Sequence, residues 1–274
     1  MFMKPFKTLI VGVDFSDYSK TVVEQAFMLS KLWKAKVILV HALNEPVDYF
    51  ASPLFSYHKP PTVKAIRDRI RIFYGVKDKA VKVVVAYDSP TNLIRSVAKN
   101  FSRRLILAGY KGQSVVTEMV FGSTARSLAL GGTGPVWIHR GNKVIEPNRI
   151  LVPHDLGREA NRAIDLCESL KLMRPTTYDV FYVRERPLPV LDYSLYQSAE
   201  QQMVKQAQKG MTHLLMSYPK ITFHSTTGNV TEKIVEKTKD FDLILLTHRK
   251  YRSFLSPSET SYLVKASNVP LLII

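Results

Sequence analysis

Cysteine is almost absent from this chain. Its 274 residues contain one, Cys167, which excludes an internal disulfide framework and any zinc site built on several thiolates. Long apolar runs are missing as well. Nothing approaches the ~20 consecutive residues a membrane span needs. The opening Met1-Phe2-Met3-Lys4-Pro5 leads into residues 8–13, a stretch too short for a secretory core and without a small-residue cleavage site. These absences predict a cytoplasmic protein with no membrane insertion. Acidic residues are scarce beside basic ones, 23 Asp and Glu against 39 Lys and Arg, a formal net charge of +16. That balance suits an anionic partner (a nucleotide phosphate, a nucleic acid, an acidic membrane surface) or simply a solvated basic surface. Lys64, Arg67, Arg69 and Arg71 fall on one expected helix and a second cluster occupies 248–252. No zinc-finger, RNA-binding-sheet or leucine-zipper signature accompanies them, so nucleic acid is not indicated beyond the charge itself. The seven histidines lack metal-ligand spacing, and no Walker-type Gly-Lys-Ser loop is present.

What the chain does have is a repeat of itself. Residues 8–16 read Thr-Leu-Ile-Val-Gly-Val-Asp-Phe-Ser, and 149–157 read Arg-Ile-Leu-Val-Pro-His-Asp-Leu-Gly. Each is a short apolar run ending in an aspartate, Asp14 or Asp155, followed by an amphipathic stretch (19–34; 159–172) and a second apolar run (37–42; 178–183). Irregular, proline-bearing segments follow at 44–55 and 184–196, where proline forbids regular structure. Then come a helical pattern (63–74; 199–218), a third strand (81–86; 221–224), a further helix (91–100; 230–239) and fourth strands of the same type, Leu105-Ile-Leu107 and Leu243-Ile-Leu245. The halves close on Pro135-Val-Trp-Ile138 and Pro270-Leu-Leu-Ile273. A period of half the chain means duplication of a whole domain. Strands alternating with helices, the strands continuously apolar, predict a mainly parallel sheet covered on both faces. The fold expected is α/β: two tandem Rossmann-like domains, 1–142 and 148–274, each an open five-stranded sheet flanked by helices.

Ligands of such sheets bind beyond the carboxyl ends of the strands, where the strand order reverses. In the first half Asp14 ends strand one and Ala42 ends strand two. After strand four comes Gly109-Tyr-Lys-Gly112, then nine residues, then Gly122-Ser123-Thr124 opening a helix. Glycines let a backbone approach phosphate closely, and a helix N-terminus offers free N–H groups to an anion. An aspartate at the end of strand one can accept hydrogen bonds from a ribose, and the backbone of strand two can read an adenine edge. Other polar candidates are structural in this reading. His41 is a strand-end residue, Ser16 and Ser19 start a helix, Cys167 is a buried small hydrophobe, and residues 64–71 are the solvated face of a helix that buries Ile66, Ile70 and Phe73.

The Gly109–Gly112–Gly122–Ser123 spacing, the opening Val13-Asp14-Phe15-Ser16, Val40-His41 and Gly134-Pro135-Val136 resemble the universal stress protein family over essentially the whole chain. The resemblance implies an adenine nucleotide, ATP with Mg²⁺, held by Gly12, Val13, Asp14, Ala42, Ala108, Gly109, Lys111, Gly112, Gly122, Ser123 and Thr124. It implies a stress-related regulatory module without a catalytic residue and with at most slow ATP hydrolysis. A slow ATP-hydrolysing or nucleotidyl-transfer enzyme, or a binder of another anionic ligand such as nucleic acid or a lipid headgroup, is the rival reading. Protein partners and homodimerisation are not decided by any sequence feature. In the second half, Thr247-His-Arg-Lys250 replaces the first glycine pair, and Pro257 or Ser258 falls where Gly122-Ser123 would lie. One nucleotide site per chain is therefore expected, the second being degenerate.

Overall fold

The computed structural model describes residues 6–43, 62–111, 121–132, 134–171, 176–185, 193–247 and 256–274. The chain divides between Ile145 and Glu146 into two compact units.

In the first unit the elements run β1 (Thr8–Gly12), α1 (Asp17–Trp33), β2 (Lys36–Leu43), α2 (Val63–Phe73), β3 (Lys82–Tyr87), α3 (Pro90–Lys99), β4 (Arg104–Gly109), α4 (Ser123–Leu130) and β5 (Val136–His139). Helices begin where a hydroxyl can satisfy their free N–H groups. Ser16 accepts from Ser19 N at 3.0 Å, Thr62 from Ala65 N at 3.2 Å and Ser89 from Asn92 N at 3.3 Å. The first of these helices stops at Lys34, whose φ of 50° breaks the right-handed path. Its apolar stripe, Val22, Val23, Ala26, Leu29 and Trp33, is buried at helical spacing.

The strands lie in the order β3-β2-β1-β4-β5, and their pairings are parallel. Leu9, Ile10, Val11, Leu105, Ile106 and Leu107 are fully enclosed, so burial of each contributes roughly 1.5–3 kcal/mol. The chain leaves β1 toward β2 and β3, then crosses back to lay β4 on the other side of β1. That reversal opens a crevice at the carboxyl ends of β1 and β4.

The second unit repeats the plan with β6 (Arg149–Pro153), α5 (Asn161–Lys171), β7 (Thr177–Arg184), α6 (Tyr193–Ser217), β8 (Thr222–Thr227), α7 (Val230–Lys237), β9 (Leu243–Leu246), α8 (Pro257–Ala266) and β10 (Leu271–Ile273). The order is β8-β7-β6-β9-β10, again parallel. The duplication reaches individual bonds. Val13 N donates to Val40 O at 3.0 Å, and His154 N to Phe181 O at 2.9 Å. Asp14 accepts from Ser16 N and Asp155 from Gly157 N, and between them Phe15 and Leu156 both take φ = 62°. Two non-glycine residues in the same left-handed conformation, two residues after the same point in each half, mark one inherited turn.

Three local expectations are corrected and a fourth is narrowed. The long helix α6 starts at Tyr193, inside the segment expected to be irregular up to residue 196. The prolines end at Pro189, so nothing after them stops the helix from extending back. Phe73 is half-buried, not buried. The residue turned inward is Tyr74, whose hydroxyl accepts from Phe15 N at 2.8 Å and meets Ser19 Oγ at 2.6 Å. The helix expected over 230–239 ends at Lys237 and closes in a 3-10 turn, Thr238–Asp240. Finally, the N-cap of α8, in the place of Gly122, is Ser256; Pro257 takes the place of Ser123, and Ser258 falls one residue beyond. Segment 44–55, most of the second irregular segment and the basic cluster 248–252 lie outside the described residues.

Candidate functional site

A cleft of about 1350 Å³ lies at the crevice of the first unit. Its floor is the ends of three strands: Gly12, Val13 and Asp14 after β1, Val40 to Leu43 of β2, and Ala108, Gly109 and Lys111 at β4. Its walls are two helices on one face of the sheet. α3 contributes Pro90, Ile94 and Arg95, and α4 with its lead-in contributes Phe121 through Ser127, Leu130 and Gly131. Gly12, Val13, Asp14, Ala42, Ala108, Gly109, Lys111, Gly122, Ser123 and Thr124 therefore share one cavity. Gly112 lies outside the described residues.

The chemistry of this cavity is set by the start of α4. Gly122 is its N-cap, and no side chain caps the helix there. Gly122 N donates to Tyr110 O at 3.0 Å, tying the helix start to the end of β4, and Arg126 N donates to Gly122 O at 2.9 Å. The N–H groups of Ser123, Thr124 and Ala125 have no acceptor within the helix. No acidic residue stands in the first turn. Such a terminus carries a partial positive charge and is suited to an anion. Lys111, Arg95 and Arg126 add three cations to the lining, none with an acidic partner among the described residues. Against them Asp14 is the one acid among the described lining residues.

Two polar groups at the strand ends are held in place. Asp14 Oδ1 accepts from Ser16 N at 3.1 Å and Ser16 Oγ at 2.6 Å. His41 Nδ1 meets Val13 O at 2.8 Å, with its ring edge-on to Phe15. Successive residues of a strand turn their peptide groups to opposite sides. Val40 O points toward Val13 N, so Ala42, two residues on and past the end of β1, turns its N–H and C=O toward the cleft.

Two of the glycines also meet neighbouring side chains. A Cβ on Gly109 would stand 2.8 Å from Tyr18 Cδ1 and 3.0 Å from Lys111 O, so this glycine admits the Tyr18 ring of α1. A Cβ on Gly12 would stand 2.8 Å from Ile94 Cδ1 of α3. Packing requires Gly109, whatever the ligand, because a ring and a backbone oxygen close on it; at Gly12 only the end of the Ile94 side chain would have to shift. Gly122 has φ −57° and ψ 137°, a conformation open to any residue. Its contribution is the missing side chain.

A model of the universal stress protein family matches residues 5–140 and again 147–274. The chain belongs to the universal stress protein family. Universal stress protein YxiE of Bacillus subtilis is 27% identical over 147 residues, 49% of this chain and 99% of that protein. Half of this tandem universal stress protein thus corresponds to the whole of a single-unit relative. A universal stress protein from Archaeoglobus fulgidus DSM 4304 covers 97% of both chains with a TM-score of 0.63 at 16% identity. A functionally unknown protein, PA1789, from Pseudomonas aeruginosa PAO1 covers 99% of this chain and 93% of its own with a TM-score of 0.66 at 11% identity. At such identities these two structures establish the fold alone.

In the second unit of this universal stress protein, the helix in the position of α4 is α8, and its start is closed. Ser256 Oγ accepts from Glu259 N at 3.2 Å, and the Glu259 carboxylate accepts from Ser256 N at 2.6 Å, a reciprocal capping box. Pro257 supplies no N–H at the first helical position. Of the three donors that α4 presents, α8 retains the Ser258 N–H alone, beside the negative charge of Glu259. The signal was in the sequence as Ser256-Pro-Ser-Glu259, the capping-box spacing. The α3 residues Ile94 and Arg95 carried no comparable signal. Their place in the cleft follows from the crossover between β3 and β4, which spacing along the chain does not reveal.

Proposed function

We propose that the first unit binds an adenine nucleotide, ATP with Mg²⁺, and that the chain acts in the cytoplasm as a stress-related regulatory module through its liganded state. The open start of α4 carries this reading: three N–H groups without an acceptor among the described residues and two hydroxyls stand in one strand-end cleft, which Lys111, Arg126 and, at Ser127, Arg95 also line. In this reading the phosphates lie over Ser123, Thr124 and Ala125, the ribose near Asp14 and the base edge at Ala42. Magnesium keeps most of its water and binds through phosphate oxygens and at most a carboxylate, which fits a cleft with Asp14 as its described acid. Gly112 belongs to the proposed set by position. The capped start of α8 supports one site per chain.

The polar groups at the strand ends favour binding over turnover. The His41 ring is committed to Val13 O and the Asp14 carboxylate to Ser16. Native mass spectrometry of the purified full chain, followed by titration calorimetry with Mg-ATP, tests the proposal. The expected result is one adenine nucleotide per chain. Two equivalent sites, or no affinity for any adenine nucleotide, overturns it.

A further inference from the structure

The helix α4 lacks the usual means of holding itself together. It has eight residues, no side-chain cap at its start and no basic residue in its last turn. Isolated helices below ~12 residues are marginal in water, so the alignment of its first-turn N–H groups must be imposed from outside. The Arg95 side chain, from α3, does this at the opposite end. Its Nη2 donates to Ser127 O at 2.8 Å and lies 3.4 Å from Ser127 Oγ. Ser127 O lies in the last turn of the helix, where the carbonyls point toward its C-terminus. A cation there also complements the negative end of the helix dipole.

The surroundings are shaped for this contact. A Cβ on Gly131 would lie 1.9 Å from Arg95 Nη2, 2.6 Å from Ser127 O and 3.1 Å from Arg95 Cζ, so the glycine that ends α4 leaves room for the contact between the guanidinium and that carbonyl. Gly131 has φ −88° and ψ 6°, so its dihedral angles do not demand glycine; the close approach of the guanidinium and of Ser127 O does. Arg95 has no acidic partner among the described residues, and its Nε is buried without an acceptor there. A guanidinium held in this way is committed to the helix end.

We propose that Arg95 is a positioning residue for the anion site: it fixes the carboxyl end of α4 and thereby aims the N–H groups of Ser123, Thr124 and Ala125 at the phosphates. This rests on the nucleotide reading above. It adds that phosphate recognition depends on a residue of another helix that grips α4 at Ser127, about 6 Å, one turn, beyond Ser123 at 1.5 Å per residue.

The test uses the full chain with R95Q, R95K and G131A, titrated with Mg-ATP and with adenosine, alongside hydrogen exchange of α4. In R95Q, ATP affinity should fall roughly tenfold, the scale of one charge-assisted hydrogen bond, while adenosine affinity stays unchanged. Amides 126–130 should exchange faster. R95K should recover part of the ATP affinity. G131A, whose methyl would crowd both the guanidinium and Ser127 O, disturbs the same contact from the α4 side and should lower ATP affinity as R95Q does. Unchanged ATP affinity in R95Q and G131A, or equal losses for ATP and adenosine, overturns the proposal. If the wild-type chain binds no adenine nucleotide, the nucleotide reading fails. The tie between Arg95 and α4 is then judged on exchange alone, and unchanged exchange in both variants overturns it.

Discussion

Replacing Gly122 by aspartate should separate stability from binding in opposite directions. Gly122 already has the extended backbone of an N-cap, so aspartate fits without strain. Its carboxylate would accept from the N–H of the second or third helical residue, Thr124 or Ala125, much as Ser256 accepts from Glu259 in α8. A cap of this kind in place of glycine stabilises by a few tenths of a kcal/mol, and a negative charge at a helix start adds about 0.3–1 kcal/mol. The melting temperature should therefore hold or rise by a degree or more. Binding should collapse. One N–H is withdrawn from the phosphates, a charge-assisted hydrogen bond of about 1.5–3 kcal/mol. The carboxylate also stands beside the phosphate, where two like charges ~4 Å apart repel by about 4 kcal/mol at an intermediate dielectric. Even with much of that repulsion screened, the loss is roughly 3 kcal/mol or more, over a hundredfold in affinity. Calorimetry with Mg-ATP and a thermal melt of the same preparation are sufficient. Wild-type affinity in G122D, or a loss of affinity that merely tracks a fall in stability, would refute the idea that the open helix start is the anion site.

Two further outcomes concern stability. Burial pushes the His139 imidazole down to about 4, a backbone hydrogen bond at Lys143 partly offsetting it. The folded chain stays neutral there while the unfolded chain takes up a proton near pH 6.5. Stability is thus complete above 6.5 and is lost as pH falls toward 4, by roughly 3 kcal/mol for this group. Urea unfolding at pH 7 and 4.5 should show a smaller acid loss in H139Q than in wild type, and parallel losses would contradict the assignment. The buried Gln25 amide donates to Ile145 O at 3.0 Å and accepts from Ile145 N at 2.8 Å. Q25A should therefore cost about 1–3 kcal/mol in denaturant unfolding, and a change within 0.5 kcal/mol would show that this clamp contributes nothing.

The α/β plan was legible because both faces of each sheet are covered. Continuous apolar runs such as Leu105-Ile-Leu107 and Leu243-Ile-Leu245 read as buried parallel strands, and they are β4 and β9. Helix starts were legible where a hydroxyl precedes an amphipathic stretch, as at Ser16. The left-handed backbone of Phe15 and Leu156 was not, since propensity argues against φ = 62° for either residue. That conformation accompanies the bond from the residue two after the aspartate back to its carboxylate. In the cleft, Asp14 and Ala42 were read as strand ends from the pattern, while Gly12, Val13 and Ala108 came with the family resemblance. Gly109 was found for an incomplete reason, because the ring that needs its space, Tyr18, is 91 positions earlier and meets it only through the fold.

If the first half holds the proposed site and the second does not, a comparison of the two isolates the feature that separates them. An aspartate after the first strand is not that feature, because Asp14 and Asp155 sit in the same turn, with the same left-handed neighbour and the same bond to the residue two ahead. That arrangement is explained by holding the strand-to-helix corner, and both units need the corner. The helix after the fourth strand does differ. In α4 three N–H groups have no acceptor among the described residues, and the cation that steadies the helix comes from Arg95. In α8, Ser256 and Glu259 satisfy the helix start from within, and proline deletes a donor. A helix that closes its own start needs no ligand to complete its hydrogen bonding. A helix left open leaves donors to be satisfied by water or by an anion, and a cleft lined by Lys111, Arg95 and Arg126 favours the anion. On this argument the difference between the halves lies in who satisfies the helix N-terminus, the chain itself or something it binds.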